Sequence, residues 1–392
     1  MGGERALPRG PYRMGAFEIA CGEVLGGDLA PAPLSTSTLT PADALEQALL
    51  PALARPPCLV HFSGGIDSSL LLALALRAAR HHGLEAPVAY TRRYPGLAES
   101  GEDEWQETVV AHLSPLEWEK RVVTDEADLV GPVAAPSLRR HGVLWPSTVH
   151  THGPDLERAR GGSMVSGEGG DEVFGPRRLA PLRALVTRRV RATRRNVVVA
   201  GLALAPVAVR RAAARHDLRG VPTPWLRPAA RRALEDALAH DAATEPYDWR
   251  RAVQAHPRRR GVYLAQETMR TVAAEADVLR VDPLLDPGFL AAYTTAGGRL
   301  GPLTRVDAAR RFFGDLLPSA VVERRSKATF NGAVWNVHTR AFLERWNGEG
   351  VDPALVDVDA LRAVWAAPQS NAMSFSLLQS CWLAADTDAS GR

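Results

Sequence analysis

Along the first half of the chain, short apolar runs alternate with longer segments of helical spacing, and turn-forming residues separate the two. Residues 59–62 (Leu-Val-His-Phe) read as a buried strand, and residues 70–80, rich in Leu and Ala and closed by Gly83, read as a helix. Pro87-Val88-Ala89-Tyr90-Thr91 is a second strand, Val122-Val123 fits a third and Ser163-Met164-Val165 a fourth. Between them, an acidic start at 99–104 leads into a helix over 105–113, and 145–160 reads as one helix. A strand, a helix and a strand in that order make a parallel βαβ unit. The expectation is therefore an α/β fold with a doubly wound parallel sheet, ligands at the carboxyl ends of its strands, and a mostly helical part from about residue 177 onward. Ahead of the sheet, residues 1 to about 40 are rich in Pro, Gly and Thr and read as an arm laid over the surface. Thr40 or Asp43 then caps a lead-in helix over 42–53.

The turn between the first strand and the helix reads Ser63-Gly64-Gly65-Ile66-Asp67-Ser68-Ser69. Two adjacent glycines let the backbone turn sharply and approach a ligand, and the hydroxyls and free N–H groups of a helix start cradle anionic oxygens. This is the chemistry of a pyrophosphate site. Asp67 would repel bare phosphates, so its presence implies Mg²⁺ between them. The lysine of the GxxxxGK[ST] loop is absent, which argues against a kinase or GTPase of that type. The fourth strand ends in Ser166-Gly167-Glu168-Gly169-Gly170-Asp171-Glu172-Val173-Phe174-Gly175, which repeats the design. Asp171 is expected to face Asp67 across a bound triphosphate as the second Mg²⁺ partner, and Glu168 to orient or deprotonate an incoming amine. Residues 92–96 leave the second strand and are expected near the nucleotide, whereas the acidic run at 99–104 reads as helix-end charge and a solvated face.

The SGGIDSS string on a strand-to-helix junction resembles the signature of the PP-loop ATP pyrophosphatases. With SGEGGDEVFG following about a hundred residues later, the chain resembles the synthetase domain of the asparagine synthetase family, which includes β-lactam synthetases and the cyclases that close lasso peptides. The resemblance implies ATP and Mg²⁺ as cofactors. It assigns Ser63, Gly64, Gly65, Asp67, Ser68 and Ser69 to the pyrophosphate loop, Ser166 and Gly167 to backbone contacts with adenosine, and Thr91 to the neighbourhood of the adenine wall. It makes Asp67 and Asp171 the metal ligands. The segments around Asp286 and over 316–330 resemble two further family stretches, which makes Asp286 and Arg325 supporting or substrate-facing residues and Lys327 the lysine that reaches the α-phosphate. A flexible ammonium there can stabilise phosphate charge in two successive transition states.

Composition then narrows the picture. The 392 residues carry a net charge of only +3, so no global attraction to nucleic acid is implied, and three widely spaced cysteines (Cys21, Cys58, Cys381) build neither a disulfide framework nor a CxxC site. This usage suits a cytoplasmic location; no secretory signal or myristoylation motif is read at the start of the chain. The longest apolar stretch, 197–209, contains Pro206 and is too short to span a bilayer, so it reads as a buried or interfacial helix and no membrane partner is expected. The expected division is an arm and lead-in helix (1–54) and one synthetase-like domain (55–385). Within that domain come a nucleotide-binding core (55–176), an arginine-rich insert (177–260) and a closing helical segment (261–385). The insert reads as a charged surface excursion or a docking surface; aromatic residues that could stack on bases are nearly absent from it, so nucleic acid is not expected.

Family asparagine synthetases begin with a cysteine in a glutaminase domain; here Gly2 stands at that position, and about fifty residues precede the first strand. Glutamine hydrolysis is not expected, so the amine is free ammonia, ammonia from a partner subunit, or an amine on the substrate. The favoured expectation is an amide-forming ligase that adenylates a peptide or natural-product carboxylate, as lasso cyclases do, with a partner peptidase or leader-peptide-binding protein. An ammonia-using asparagine synthase is the alternative within this chemistry. A tRNA-modifying PP-loop enzyme is the alternative outside it, and its thiolating forms need a cysteine pair this chain lacks.

Overall fold

A computed structural model describes residues 12–26, 33–95, 97, 102–314, 316–324, 331–367 and 371–390. Its centre is a sheet of five parallel strands: β1 (Cys58–His61), β2 (Val88–Arg93), β3 (Trp118–Val122), β4 (Ser163–Val165) and β5 (Leu279–Val281), in the order β3-β2-β1-β4-β5. The doubly wound expectation holds. Because β1 pairs with β2 on one side and β4 on the other, the winding reverses between β1 and β4, and a crevice opens at the carboxyl ends of those two strands. Val60 lies opposite Val165, so the two glycine-rich loops leave the sheet side by side although a hundred residues separate them in sequence.

The helix after β1 runs Ile66–His82, four residues earlier than the apolar pattern predicts, so Asp67, Ser68 and Ser69 belong to its first turn. Leu70, Leu71, Leu72, Leu74 and Leu76 are all buried, which explains an apolar run with no polar face: the helix is packed on every side. The lead-in helix Pro41–Leu53, capped by the Thr40 hydroxyl accepting from Asp43 N at 3.2 Å, packs on it through Leu45, Leu49 and Leu53, and Glu46 pairs with Arg77. Gly83 closes the helix at φ +63°, a conformation that glycine adopts without strain.

Three expectations need correction. β3 is Trp118–Val122 rather than 122–123; it is an edge strand with no buried residue, in which Glu119 and Arg121 are half-buried and Lys120 and Val122 exposed, so the apolar signal marked only its end. The single helix over 145–160 is a 3₁₀ turn, Ser147–Thr151, and a separate helix, Gly153–Arg158, because Gly153-Pro154 starts a new helix rather than continuing the old one. The arm is not merely laid over the surface: residues 16–21 form a short helix, and Ala20 and Cys21 enter a second core. That core, built from helices and the turns between them, joins the arm to Trp225, Trp335, Phe342, Leu361, Leu377 and Cys381. All three cysteines are buried and free.

Two buried histidines make the fold acid-sensitive. His150 and His256 are 1% and 5% exposed, and burial, reinforced by His141 in one case and by Arg177 and Arg259 in the other, pushes each pKa down to about 3. Unfolded, each takes its proton near pH 6.5, so between the two values the unfolded chain holds more protons and stability falls as pH falls. The urea midpoint is expected to drop between neutral pH and about pH 5, and His150→Gln to reduce that drop; a midpoint that is flat or rises on acidification overturns the assignment.

Candidate active site

The crevice at the switch point is a cleft of about 710 Å³ lined from both loops. In the first loop Gly64 takes φ +85°, and a Cβ there would meet the Gln106 side chain at 2.9 Å, so both the turn and the close approach require glycine. Ser68 Oγ ties the loop down: it accepts from Ser63 N at 3.2 Å and donates to Gly65 O at 3.2 Å, while Gln106 Nε2 donates to Ser63 O at 3.1 Å. The helix that follows starts at Gly65 with no side-chain cap, which leaves its end open to an anionic ligand.

The second loop packs directly on the first. Gly169 turns at φ +83°, and a Cβ on Gly170 would lie 2.1 Å from Asp67 Oδ2. Phe174, at the end of the motif, anchors it edge-on against Tyr293 at 5.5 Å and Phe313 at 6.1 Å. Ser166 Oγ donates to Asp282 Oδ1 at 2.6 Å and accepts from Arg280 at 3.0 Å, and Glu168 N donates to the same hydroxyl at 3.3 Å. Glu168 lines the cleft. Its side chain is exposed at the cleft, and desolvation by the surrounding walls raises its carboxyl above the usual range; Arg280 opposes this, and Asp282, Glu172 and Asp171 add to it.

The residue that organises the two carboxylates was not foreseen. Arg305, first in the helix Arg305–Phe313, hydrogen-bonds Asp67 Oδ2 through the same nitrogen that lies 3.1 Å from Asp171 Oδ1. One cationic nitrogen thus reaches both carboxylates, and this is the observation against which Mg²⁺ can be tested. The pair fits a hard cation that takes a few carboxylate oxygens and completes its shell with phosphate and water. No cluster of three or more metal-binding side chains occurs among the described residues.

The expected residues divide into four groups. Ser63, Gly65, Asp67, Ser68, Ser166, Gly167, Glu168 and Asp171 line the cleft together, as do Arg92 and Tyr94 from the end of β2. Gly64, Ser69 and Thr91 lie behind it: Ser69 is fully buried, and Thr91 Oγ1 donates to Phe62 O at 2.7 Å and accepts from Trp118 Nε1 at 2.9 Å, latching three strands together. Asp286 is not in the wall; its carboxylate accepts from Phe289 N at 2.9 Å and caps the helix Pro287–Gly297, while Asp282, four residues earlier, faces the cleft. Arg325 and Lys327 lie outside the described residues. Their neighbour Arg324 pairs with Glu102 in the cleft wall, so the acidic run gives a buried partner as well as a solvated face. Sequence spacing alone could not mark Arg305, Arg280 or Glu102, whose partners are 238, 114 and 222 residues away.

No curated protein matches the chain. The profile of the asparagine synthase family matches residues 42–386, which takes in all five strands, both glycine-rich loops and the helix that carries Arg305. By that match and by the two loops its sheet brings together, the chain belongs to the asparagine synthase family of ATP-dependent ligases.

Proposed function

We propose that this ligase activates a carboxylate as its acyl-adenylate and transfers the acyl group to an amine, with a peptide or natural-product acid as substrate. The reading rests on one observation above the others: Asp67 and Asp171 converge on a single cationic nitrogen beside an open helix start at the switch point. Asp67 and Asp171 would hold Mg²⁺, which when bound supplies neutralisation of phosphate charge. A carboxylate oxygen attacks the α-phosphorus of ATP, the bond to the bridging oxygen breaks, and pyrophosphate leaves toward residues 63–69. The amine nitrogen then attacks the acyl carbon, AMP leaves, and the amine proton passes to the Glu168 carboxylate. Its raised pKa makes it a better proton acceptor than an ordinary glutamate.

The wall favours a substrate without a second carboxylate. Among the described residues four arginines line the cleft, and each has a carboxylate partner: Arg92 with Asp155, Arg280 with Asp282, Arg305 with Asp67 and Asp171, and Arg324 with Glu102. The remaining wall beside β1 is neutral, built from Tyr90, Gln266, Met269 and His61, whose pKa burial lowers to about 3. A neutral acyl chain would sit against this wall without drawing any of these arginines from its partner.

Pyrophosphate release from MgATP tests this, with candidate peptide acids in some reactions and aspartate plus ammonium in another. Release with a peptide, and a product one water lighter if it is cyclised, is the expected result; release with aspartate alone returns the chain to asparagine synthesis. With an active acid, kcat/KM is expected to fall on the acid side through a pKa above the ordinary glutamate range, and Glu168→Gln to lower the rate about 10²-fold and remove that limb. Retention of the limb in the variant would assign it to another group.

A further inference from the structure

The insert contains the least buried part of the described chain. Residues 177–219 hold twelve arginines, one aspartate and no Phe, Trp or Tyr, while the rest of the sequence carries more acidic than basic residues. Between the Arg194-Arg195 and Arg210-Arg211 pairs lie fourteen residues with no charge at all. They fold as two helices, Arg194–Leu204 and Val207–Asp217, joined at Ala205-Pro206. Only Ala200, Ala203 and Arg210 are buried within them, and the preceding helix, Ala180–Val186, buries nothing. Of the two expectations for this stretch, a buried or an interfacial helix, its exposure removes the first.

Its large apolar side chains stand in water. Val186, Val190, Val197, Val198, Val199, Leu204, Val207 and Val209 are exposed, Val186 by 72% and Leu204 by 54%. A concentration of this kind marks an interaction surface. The underside is firmly held, with Arg178 Nε donating to Ala203 O at 2.8 Å and Tyr247 Oη to Leu204 O at 3.0 Å. The outer side carries apolar groups around the Pro206 bend, with Arg194 and Arg195 at the start of the first helix and Arg211 about one turn into the second. Arg191, Arg194, Arg195 and Arg211 make no ion pair among the described residues.

We infer that this face docks on an anionic lipid bilayer. Aliphatic side chains around a bend, with guanidinium groups on both flanks and almost no acidic residue, match the depth profile of a bilayer surface: acyl chains inside, anionic headgroups above. Protein interfaces draw their affinity from Trp and Tyr as well as Arg, and single-stranded nucleic acid from aromatic stacking; this stretch supplies no aromatic ring. No helix of the described chain is long and apolar enough to cross a membrane, so the contact is with the surface. This inference departs from the sequence expectation of no membrane partner. The insert touches the site at two places, with Arg177 donating to Glu172 O and Arg189 pairing with Asp307 at 3.0 Å, so docking would hold the cleft close to the bilayer.

Co-sedimentation of the full chain with phosphatidylcholine vesicles, with and without phosphatidylglycerol, tests the inference. The chain is expected to bind the anionic vesicles and be released by salt, and Arg194→Gln with Arg195→Gln to weaken binding about tenfold or more. Val198→Asp, Leu204→Asp and Val207→Asp together are expected to abolish binding. All variants should keep the far-ultraviolet circular dichroism and the ATP-dependent turnover of the parent, since none of these side chains lies in the cleft wall. Equal binding to neutral vesicles, or undiminished binding by the Asp variant, overturns the inference. Tighter capture of a polyglutamate peptide than of vesicles, indifferent to the Asp substitutions, would assign the face to an acidic peptide instead. Self-association in sedimentation velocity that the Asp variant abolishes would assign it to a second copy.

Discussion

Asp67→Asn is expected to lower ATP-dependent pyrophosphate release by about 10²–10³-fold, and Asp171→Asn by a similar factor, with the folded structure retained. The amide is isosteric with the carboxylate, so the close approach to Gly170 is preserved, and Arg305 still has one carboxylate to pair with. What is lost is negative charge at the one point where both loops face a common cation. Chelation of divalent ions should mimic the loss in the parent and add little in either variant. The two changes act on one cation, so the double variant is expected to be hardly worse than either single one. Additive losses, or a single variant within about threefold of the parent, would show that the two carboxylates do not serve a common ion.

Removing one member of the Glu102–Arg324 pair is expected to cost about 3–5 kcal/mol of stability. Both side chains are only 5% exposed, and Arg324 Nη1 also lies 3.4 Å from Gly64 O, so the pair joins the start of the helix Asp103–Leu113 to the phosphate loop. Glu102→Gln leaves the Arg324 guanidinium facing a neutral amide, and Arg324→Met takes from Glu102 the guanidinium it pairs with. Removing both charges together should recover much of the loss, because the desolvation penalty disappears with them. Urea midpoints of the two single variants and the double variant give the coupling directly. Single losses below about 1 kcal/mol would mean that the pair behaves as an exposed one.

Which parts of this architecture could be read from sequence follows from where each signal lies. Both glycine-rich loops were legible because their chemistry is local: glycines, hydroxyls and carboxylates sit within ten residues of one another at a strand end. β1, β2 and β4 were legible because they are buried and apolar, whereas β3 was displaced because an edge strand hides its pairing under charged residues. Arg305 and Glu102 were illegible for a different reason. An arginine at a helix start and a glutamate in an acidic run have ordinary local roles, and only tertiary packing gives them their partners. Asp286 shows the converse, since a residue singled out by resemblance proves to be the cap of a helix. The hydrophobicity of 197–209 was plain in the sequence, but its exposure was not, because composition does not say which side of a helix the rest of the protein covers.

The strand order β3-β2-β1-β4-β5 also governs how the site comes into being. The Asp67 loop is made early in the chain, but Asp171 joins it only when β4 docks beside β1, and Arg305 only when the helix Arg305–Phe313 has packed. No contiguous fragment that stops short of residue 305 holds the constellation, so nucleotide affinity is a property of the completed chain. A ligand bound there grips residues separated by 238 positions, and its stabilisation should spread through the sheet and the helices around it rather than stay in one loop. Hydrogen exchange would register nucleotide as slowed opening of β1, β4 and the helix Arg305–Phe313 together, and binding would report on the integrity of the whole assembly.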